Sequence, residues 1–214
     1  MRYLIVCGGK IDKEFGLNEI KTDGIDAIIA ADSGMDFLYE NGVTPDIIVG
    51  DFDSTTTNAL EYFERKGQTE IRRLNPIKDD TDTEDAIRLA ISEGARSIVL
   101  LGATGSRIDH VLGNISLLGI GMESGTDISI IDTNNRIRMA DKPVTIEKSA
   151  QYGRFVSLIA LTDDNEVSLK GFKYPVTDYS FDRFTSLGIS NEIVDDHALI
   201  DIHRGKFIII ESKD

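Results

Sequence analysis

Cysteine is nearly absent from this sequence, which has a single one, Cys7, among 214 residues. One thiol excludes an internal disulfide framework and is consistent with a reducing compartment. Because Cys7 follows the apolar run Tyr-Leu-Ile-Val, we expect it to pack as a small hydrophobic side chain. The sequence also lacks a secretory signal pattern and an apolar run of about 18 residues, so it predicts a cytoplasmic protein without a membrane span.

Positive charge is scarce as well. Lysine and arginine number 23 against 37 aspartate and glutamate residues, which gives a formal net charge of -14. Such a chain repels nucleic acid phosphates and anionic membrane surfaces, so we expect neither as a partner. The hydrophobic content of 41% is ordinary for a globular core and excludes a disordered protein.

Up to about residue 125, short apolar segments alternate with helical patterns. The segments rich in Ile, Val and Leu are RYLIVCGG, AIIAADSG, PDIIVGDFD, EIRRLN and RSIVLLGA. Helical patterns are read in MDFLYENG, TTTNALEYFERKG and TDTEDAIRLAISEG. Nearly continuous apolar strands are typical of a parallel sheet covered on both faces. The sequence therefore predicts an α/β fold with an open, mostly parallel sheet flanked by helices.

The pattern changes between residues 125 and 135. From there on, short β segments are separated by Asn-Asn, Asp-Asp-Asn and Gly, and no clear helix is present. We expect a catalytic α/β domain at residues 1–128 and a small antiparallel β-sandwich or barrel at 129–214. A domain of about 80 residues buries little core of its own, which favours docking or dimerisation through it.

Aspartates follow several of the predicted strands. The carboxyl ends of parallel strands meet at one edge of a sheet, and ligands bind there. If the backbone stays extended through Phe52, Asp51 and Asp53 point to the same side. Asp79 and Asp82 share a helix face if the first turn has formed there. The acidic residues at these ends are Asp32, Asp51, Asp53, Asp79, Asp80 and Asp82.

Helix capping is the alternative for each of these carboxylates. Ser54 or Asp53 fits a cap of the helix that follows, and Thr81 with Glu84 fits a capping box. Capping accounts for one residue in each loop but not for several carboxylates at one edge, where like charges repel unless a cation is present. Oxygen ligands without a neighbouring His or Cys favour Mg²⁺ over Zn²⁺.

The loop GATGSRIDH, residues 102–110, supplies groups suited to an anion. Its glycines, including Gly105, permit close backbone approach, and a helix that begins near Ser106 or Arg107 directs free N–H groups at a ligand. Arg107 adds a planar guanidinium that matches phosphate. The loop lacks the Lys-Ser or Lys-Thr of a P-loop. Its alternative is a tight turn in which Asp109 complements the helix dipole.

With AADSG, PDIIVGDFDS, KDDTDTEDA, GATGSRIDHVLGN and TSLGISNE in this order, the chain closely resembles the thiamine pyrophosphokinase family over nearly its full length. The resemblance implies transfer of pyrophosphate from ATP to the hydroxyl of thiamine, which gives thiamine diphosphate and AMP. It also implies an N-terminal α/β nucleotide domain, a C-terminal β-sandwich that binds thiamine, and a homodimer with the thiamine site at the subunit interface.

The resemblance also implies roles for individual residues. Those expected at Mg²⁺ and the pyrophosphoryl group are Asp51, Asp53, Asp79 and Asp82, with Arg107 beside them in catalysis. Those expected at ATP are Asp32, Gly105, Arg107, Asp109 and Asn114. Ser190 and Asn191 are expected to contact thiamine, with a turn that leads into a strand as the alternative. Either Asp79 or Asp51 is the expected acceptor of the hydroxyl proton.

One departure concerns the aromatic partner of thiamine. Some family members stack a tryptophan on thiamine, and this sequence has no tryptophan. The candidates to replace it are Phe184, Phe207 and a residue of the partner subunit.

Two other functions remain open from the residues. DFDST matches the Asp-x-Asp-x-Thr signature of haloacid-dehalogenase-like phosphatases, in which Asp51 would be the covalent nucleophile and Asp53 the general acid. Two predicted strands precede the motif here, and the other acidic and glycine-rich loops have no role in that scheme. The second possibility is a Mg²⁺-nucleotide sensor whose β domain binds a partner protein.

Overall fold

The computed structural model describes residues 1–52, 58–75 and 80–214. Asp53 and Asp79, both predicted site residues, lie outside these ranges. In the described part of the chain, no helix is long and apolar enough to cross a membrane.

The chain forms two compact units, Met1–Thr133 and Asn134–Asp214. The predicted division after residue 128 falls inside a strand, Asp127–Ile131, that belongs to the first unit. The sequence of this strand resembles the start of the β-rich region, because polar turns follow it. In the structure, however, the strand pairs in parallel with Ser97–Leu101.

Among the described residues, six strands of the first unit pair in parallel, and the sequence predicts such a mostly parallel sheet. Its strands are β1 Arg2–Val6, β2 Ala27–Ala31, β3 Ile47–Gly50, β4 Glu70–Arg73, β5 Ser97–Leu101 and β6 Asp127–Ile131. Their order is β6-β5-β1-β2-β3-β4, and every pair within this unit is parallel. The chain therefore extends the sheet in one direction from β1 and then returns to its other side with β5. A reversal of this kind, here between β1 and β5, is where α/β sheets bind ligands.

Five helices accompany the sheet among the described residues: α1 Lys13–Ile20, α2 Gly34–Glu40, α3 Ala59–Lys66, α4 Asp82–Ser92 and α5 Ile108–Ser124. The sequence patterns predict α2, α3, α4 and a helix near the start of α5. They do not predict α1, because Gly16 lies in its interior and weakens the helical signal. Gly16 is buried and packs closely against Ile11 and Phe37.

The core of this unit lies along the central strands. Ile5, Ile48 and Leu100 are completely buried, as expected for strands covered on both faces. The edge strand β4 differs, since Glu70 and Arg73 at its two ends are exposed. Packing of the central strands fixes the positions of their carboxyl ends, and the loops that follow these ends carry the candidate site.

The second unit is an antiparallel sandwich. Its strands are β7 Asn135–Ala140, β8 Val144–Glu147, β9 Phe155–Ala160, β10 Glu166–Lys170, β11 Val176–Ser180, β12 Asn191–Glu192, β13 His197–Arg204 and β14 Phe207–Ser212. One sheet has the order β12-β9-β14-β7 and the other β11-β10-β13-β8. Leu158 and Phe207 from the first sheet and Leu169 and Ile200 from the second belong to one buried cluster. Two sheets with a shared core confirm the sandwich rather than the barrel.

Candidate active site

A pocket of about 810 Å³ opens at the carboxyl ends of β1, β2 and β5. It is lined by the loops 8–10, 32–33 and 102–107 and by the beginnings of α4 and α5. This is the reversal point of the strand order, so the sheet topology and the cavity identify the same place. All of the lining residues belong to the first unit.

Three carboxylates converge at the same edge of the sheet. Asp32, Asp51 and Asp82 each offer an oxygen, and these three oxygens lie within 4.8 Å of one another. Asp32 follows β2, Asp51 follows β3, and Asp82 is the first residue of α4. The Asp32 N–H donates to the Val49 carbonyl at 2.8 Å, which fastens the end of β2 to the end of β3. The predicted convergence of these loops is therefore present in the described residues.

The backbone turns sharply after Asp51. Phe52 has a φ of +64°, in the left-handed region, so an extended backbone through Phe52, the condition for Asp51 and Asp53 to point to the same side, is not met. The ring of Phe52 is largely buried, with the Arg73 guanidinium 5.3 Å from its centroid. A Cβ at Gly50 would lie 3.1 Å from this ring and 3.2 Å from Asp32 Cα. Glycine at position 50 thus gives room for the turn that directs Asp51 to Asp32.

At the start of α4, the residue that caps the helix lies next to a residue of the carboxylate cluster. Thr81 is the N-cap, and its hydroxyl accepts from the Glu84 N–H at 3.2 Å. The Glu84 carboxylate binds Arg88 at 2.6 Å instead of returning to the cap, so only the Thr81 half of the predicted capping box is observed. Asp82 is the residue after this cap, and one of its carboxylate oxygens belongs to the cluster.

The loop before α5 carries a paired arginine. α5 begins at Ile108 with Arg107 as its N-cap, where the sequence predicts the helix to begin. Arg107 Nη2 lies 2.6 Å from Asp109 Oδ2, and Nε donates to Oδ1 at 3.3 Å. This hydrogen bond lowers the pKa of Asp109 to about 2 and raises the pKa of Arg107. Both groups are therefore charged at neutral pH, and both line the pocket while remaining exposed.

Gly105 and Asn114, the other residues predicted at ATP, also line the pocket. The Asn114 side chain donates from Nδ2 to the carbonyl of Ala103 at 2.8 Å. This bond ties the second turn of α5 back to the loop that follows β5. Asn114 thus holds the shape of the loop that carries Arg107.

The predicted thiamine pair lies in the second unit and has two different environments. Asn191 is buried, and its amide accepts from the Tyr174 N–H at 3.1 Å and donates to the Tyr174 carbonyl at 2.9 Å. Ser190 is exposed with a φ of +61°, and its N–H donates to Ser157 Oγ at 3.0 Å. Ser190 thus occupies the turn into β12, while the Asn191 amide fixes the backbone at Tyr174.

The two aromatic candidates for stacking on thiamine differ in accessibility. Phe207 is 0% exposed in the sandwich core, so its assignment as a possible stacking partner is wrong. The sequence could not reveal this, because alternating β segments do not show which ring is covered by the opposite sheet. Phe184 is 90% exposed and stays a candidate.

Cys7 and Lys10 also line the pocket, and the sequence analysis predicted neither of them there. Cys7 is buried at the end of β1, and burial raises the pKa of its thiol to about 12, partly offset by a hydrogen bond with Thr83. It is therefore a neutral thiol at physiological pH. The sequence signal for both residues is their position in CGGK directly after a buried strand.

A six-stranded parallel sheet with carboxylates and a pocket at its reversal point defines an α/β protein that binds its ligand at the strand ends. The family model described as the catalytic domain of thiamin pyrophosphokinase matches residues 21–130. The model described as the thiamin pyrophosphokinase vitamin B1 binding domain matches residues 143–207. Each match lies within one of the two units.

Individual proteins that resemble this chain belong to the same family as these two models. A curated thiamine pyrophosphokinase of Bacillus subtilis (strain 168) is 34% identical over 188 residues, which is 87% of this chain and 87% of the relative. A crystal structure of thiamine pyrophosphokinase from Bacillus subtilis has a TM-score of 0.89 at 32% identity and covers 100% of both chains. One of thiamin pyrophosphokinase from Geobacillus thermodenitrificans has a TM-score of 0.86 at 29% identity, covering 100% of this chain and 98% of the other. The chain belongs to the thiamine pyrophosphokinase family.

Proposed function

We propose that this protein is a thiamine diphosphokinase, which transfers pyrophosphate from ATP to the hydroxyl of thiamine and releases AMP. The observation that carries the proposal is the convergence of Asp32, Asp51 and Asp82 in the unit that matches the catalytic family model. The second unit, which matches the vitamin B1 binding model, supports thiamine as the acceptor. The phosphatase alternative gives no role to Asp32 or to the loop before α5.

The carboxylate cluster fits Mg²⁺. Its three oxygens come from the loops after β2 and β3 and from the start of α4 and lie within 4.8 Å of one another, and among the described residues no His or Cys joins them. Oxygen donors of this kind suit Mg²⁺, which is usually bound by carboxylates together with water and substrate phosphates. Asp53 and Asp79 are further predicted ligands beyond the described ranges. Bound here, Mg²⁺ would neutralise negative charge on the phosphate chain of ATP.

The chain's own residues then act by position and charge. The reaction is an attack of the thiamine hydroxyl oxygen on the β-phosphorus of ATP, with the AMP oxygen as the leaving group. Catalysis of phosphoryl-type transfer depends mainly on orientation and electrostatics, so a weak base is enough. A carboxylate oxygen of Asp51 or Asp79 accepts the hydroxyl proton. Arg107, ionised at neutral pH, exchanges its bond to Asp109 for a bond to phosphate.

The proposal includes a homodimer with the thiamine site at its interface and a cytoplasmic location. Segment 184–189 of the second unit supports an association surface, because Phe184, Leu187 and Ile189 expose apolar side chains there.

The acidic composition of the chain also suits thiamine as a substrate, because the thiazolium ring of thiamine is positively charged.

A product assay tests this function. The purified protein is supplied with ATP, Mg²⁺ and thiamine, and nucleotides and thiamine esters are separated by chromatography. We expect AMP and thiamine diphosphate in equal amounts, with both lost on addition of EDTA. Free phosphate without AMP would instead support the phosphatase, and ATP binding without any turnover would support the sensor.

Ser190 and Asn191 are expected to respond differently to truncation. Ser190→Ala should raise the KM for thiamine and leave the KM for ATP and the melting temperature close to those of the wild type. Asn191→Ala should also lower stability, because it removes a buried amide that binds the partly buried N–H and carbonyl of Tyr174, at a cost of about 1 to 3 kcal/mol. Steady-state kinetics and thermal unfolding measure the two effects. An Asn191→Ala protein that melts like the wild type but binds thiamine poorly would make Asn191 a direct ligand.

A further inference from the structure

Most charged groups that line the described part of the pocket belong to an ion pair or to the carboxylate cluster. Glu84 binds Arg88 at 2.6 Å, and Asp109 binds Arg107 at 2.6 Å. Asp32 and Asp82 belong to the carboxylate cluster. The remaining charged lining group is Lys10, which is exposed and makes no ion pair in the described part of the chain. Among the described lining residues, Lys10 is therefore the ammonium group that no carboxylate holds in an ion pair.

The backbone beside Lys10 is fixed at the reversal point of the sheet. The Gly9 N–H donates to the Gly102 carbonyl at 2.9 Å. A Cβ at Gly9 would lie 2.3 Å from that carbonyl oxygen and 2.5 Å from the Thr104 carbonyl oxygen, so only glycine allows this approach. The loop after β1 thus packs closely against the loop after β5, and Lys10 directly follows the residue at which the two loops contact each other.

An unbalanced ammonium on a fixed loop suits an anionic ligand. A lysine provides three donors on a flexible stem and approaches phosphate oxygens as a compact point charge. The carboxylate cluster on the same pocket repels a polyanion, so a cation from another loop lowers the cost of bringing one in. We propose that Lys10 binds a phosphate oxygen of the nucleotide's phosphate chain. This inference rests on the proposed ATP site and assigns a residue that the sequence motifs of that site do not include.

Calorimetric titration with ATP and with adenosine, both in Mg²⁺, tests the assignment. Lys10→Gln should raise the Kd for ATP by about 10-fold to 100-fold, the range for losing one hydrogen bond to a charged group. The Kd for adenosine should not change, because adenosine carries no phosphate. Lys10→Arg should restore most of the ATP affinity. Lys13→Gln, which removes the same charge from an exposed site on α1 outside the pocket, is the matched control and should behave like the wild type.

The outcomes separate this inference from the proposed function. Failure of the wild-type protein to bind ATP would overturn both the proposed function and the role of Lys10. Wild-type protein that binds ATP, with Lys10→Gln within about twofold of it, would overturn only the role of Lys10. Equal weakening by Lys10→Gln and Lys13→Gln would reduce the effect to overall charge and overturn the contact. Equal weakening of ATP and adenosine by Lys10→Gln would overturn the assignment to the phosphates.

Discussion

Asp82→Asn should reduce turnover by about 100-fold to 1,000-fold, the usual loss when one electrostatic stabiliser of a transition state is removed. The variant keeps the shape of the side chain but removes one of the three carboxylate charges that converge within 4.8 Å. Thr81, not Asp82, caps α4, so the helix keeps its N-terminal hydrogen bond. Removing one of three crowded like charges also relieves repulsion in the metal-free protein. We therefore expect the melting temperature of the metal-free protein to stay the same or rise while activity falls.

Steady-state kinetics and thermal unfolding of the metal-free protein check this combination, Mg²⁺ affinity checks the role at the metal, and one variant is the control. Mg²⁺ affinity is measured by calorimetry without nucleotide, where Asp82→Asn should bind at least about 10-fold more weakly. Asp85→Asn removes the same charge from the first turn of the same helix, at a residue that neither lines the pocket nor belongs to the cluster, and should keep most of the activity. Wild-type turnover and Mg²⁺ affinity in Asp82→Asn would exclude Asp82 from the metal site. The phosphatase scheme, in which only the DFDST loop acts, predicts that result.

Glu211→Ala should destabilise the protein by about 3 to 5 kcal/mol, the range for removing one partner of a buried ion pair. Glu211 is 0% exposed on β14 and accepts two hydrogen bonds from Arg136, each at 2.8 Å. It also accepts from Arg138 Nη2 at 2.8 Å and from the Tyr152 N–H at 2.9 Å. Truncation takes this carboxylate away from two largely buried guanidinium groups and one backbone donor. Glu211→Gln keeps an acceptor in place, so its loss should be smaller.

Urea denaturation of the variants measures this loss. Glu192→Ala is the matched control, because Glu192 also bridges two cations in the second unit, Arg154 and Lys173, each at 2.8 Å. Those cations are far more exposed than Arg136 and Arg138, so water screens the interaction and the expected loss is small. Equal destabilisation by Glu211→Ala and Glu192→Ala would show that burial does not decide the strength of these networks.

The strands of the first unit could be predicted because their apolar content is nearly continuous. The same reasoning placed Asp32, Asp51 and Asp82 together, since parallel strands end at one edge whatever their detailed packing. The turn at Phe52 could not be predicted, because a bulky residue rarely adopts positive φ and carries no sequence signal for it. The turn depends on Gly50 and on packing against Arg73, which are tertiary features.

The thiamine pair shows a different limit of sequence reasoning. Nothing in GISNE distinguishes an exposed Ser190 from a buried Asn191, because the partner of the Asn191 amide is Tyr174, 17 residues earlier. Burial of a polar side chain depends on a long-range partner that a local motif does not name. Lys10 is similar, since its charge becomes notable only after the other charged groups of the pocket are seen to lie in ion pairs or in the carboxylate cluster.

The edge strand β4 bears on how copies of this protein avoid aggregation. A sheet edge presents unpaired backbone groups that can recruit a strand from another chain. β4 is short and carries Arg72 and Arg73, which bind Glu93 at 2.7 Å and Glu64 at 2.5 Å, respectively. A strand added along β4 would have to desolvate these charges, so the edge resists pairing with another chain. The charged edge therefore lets the sheet end at β4 with no covering strand among the residues that the structure describes.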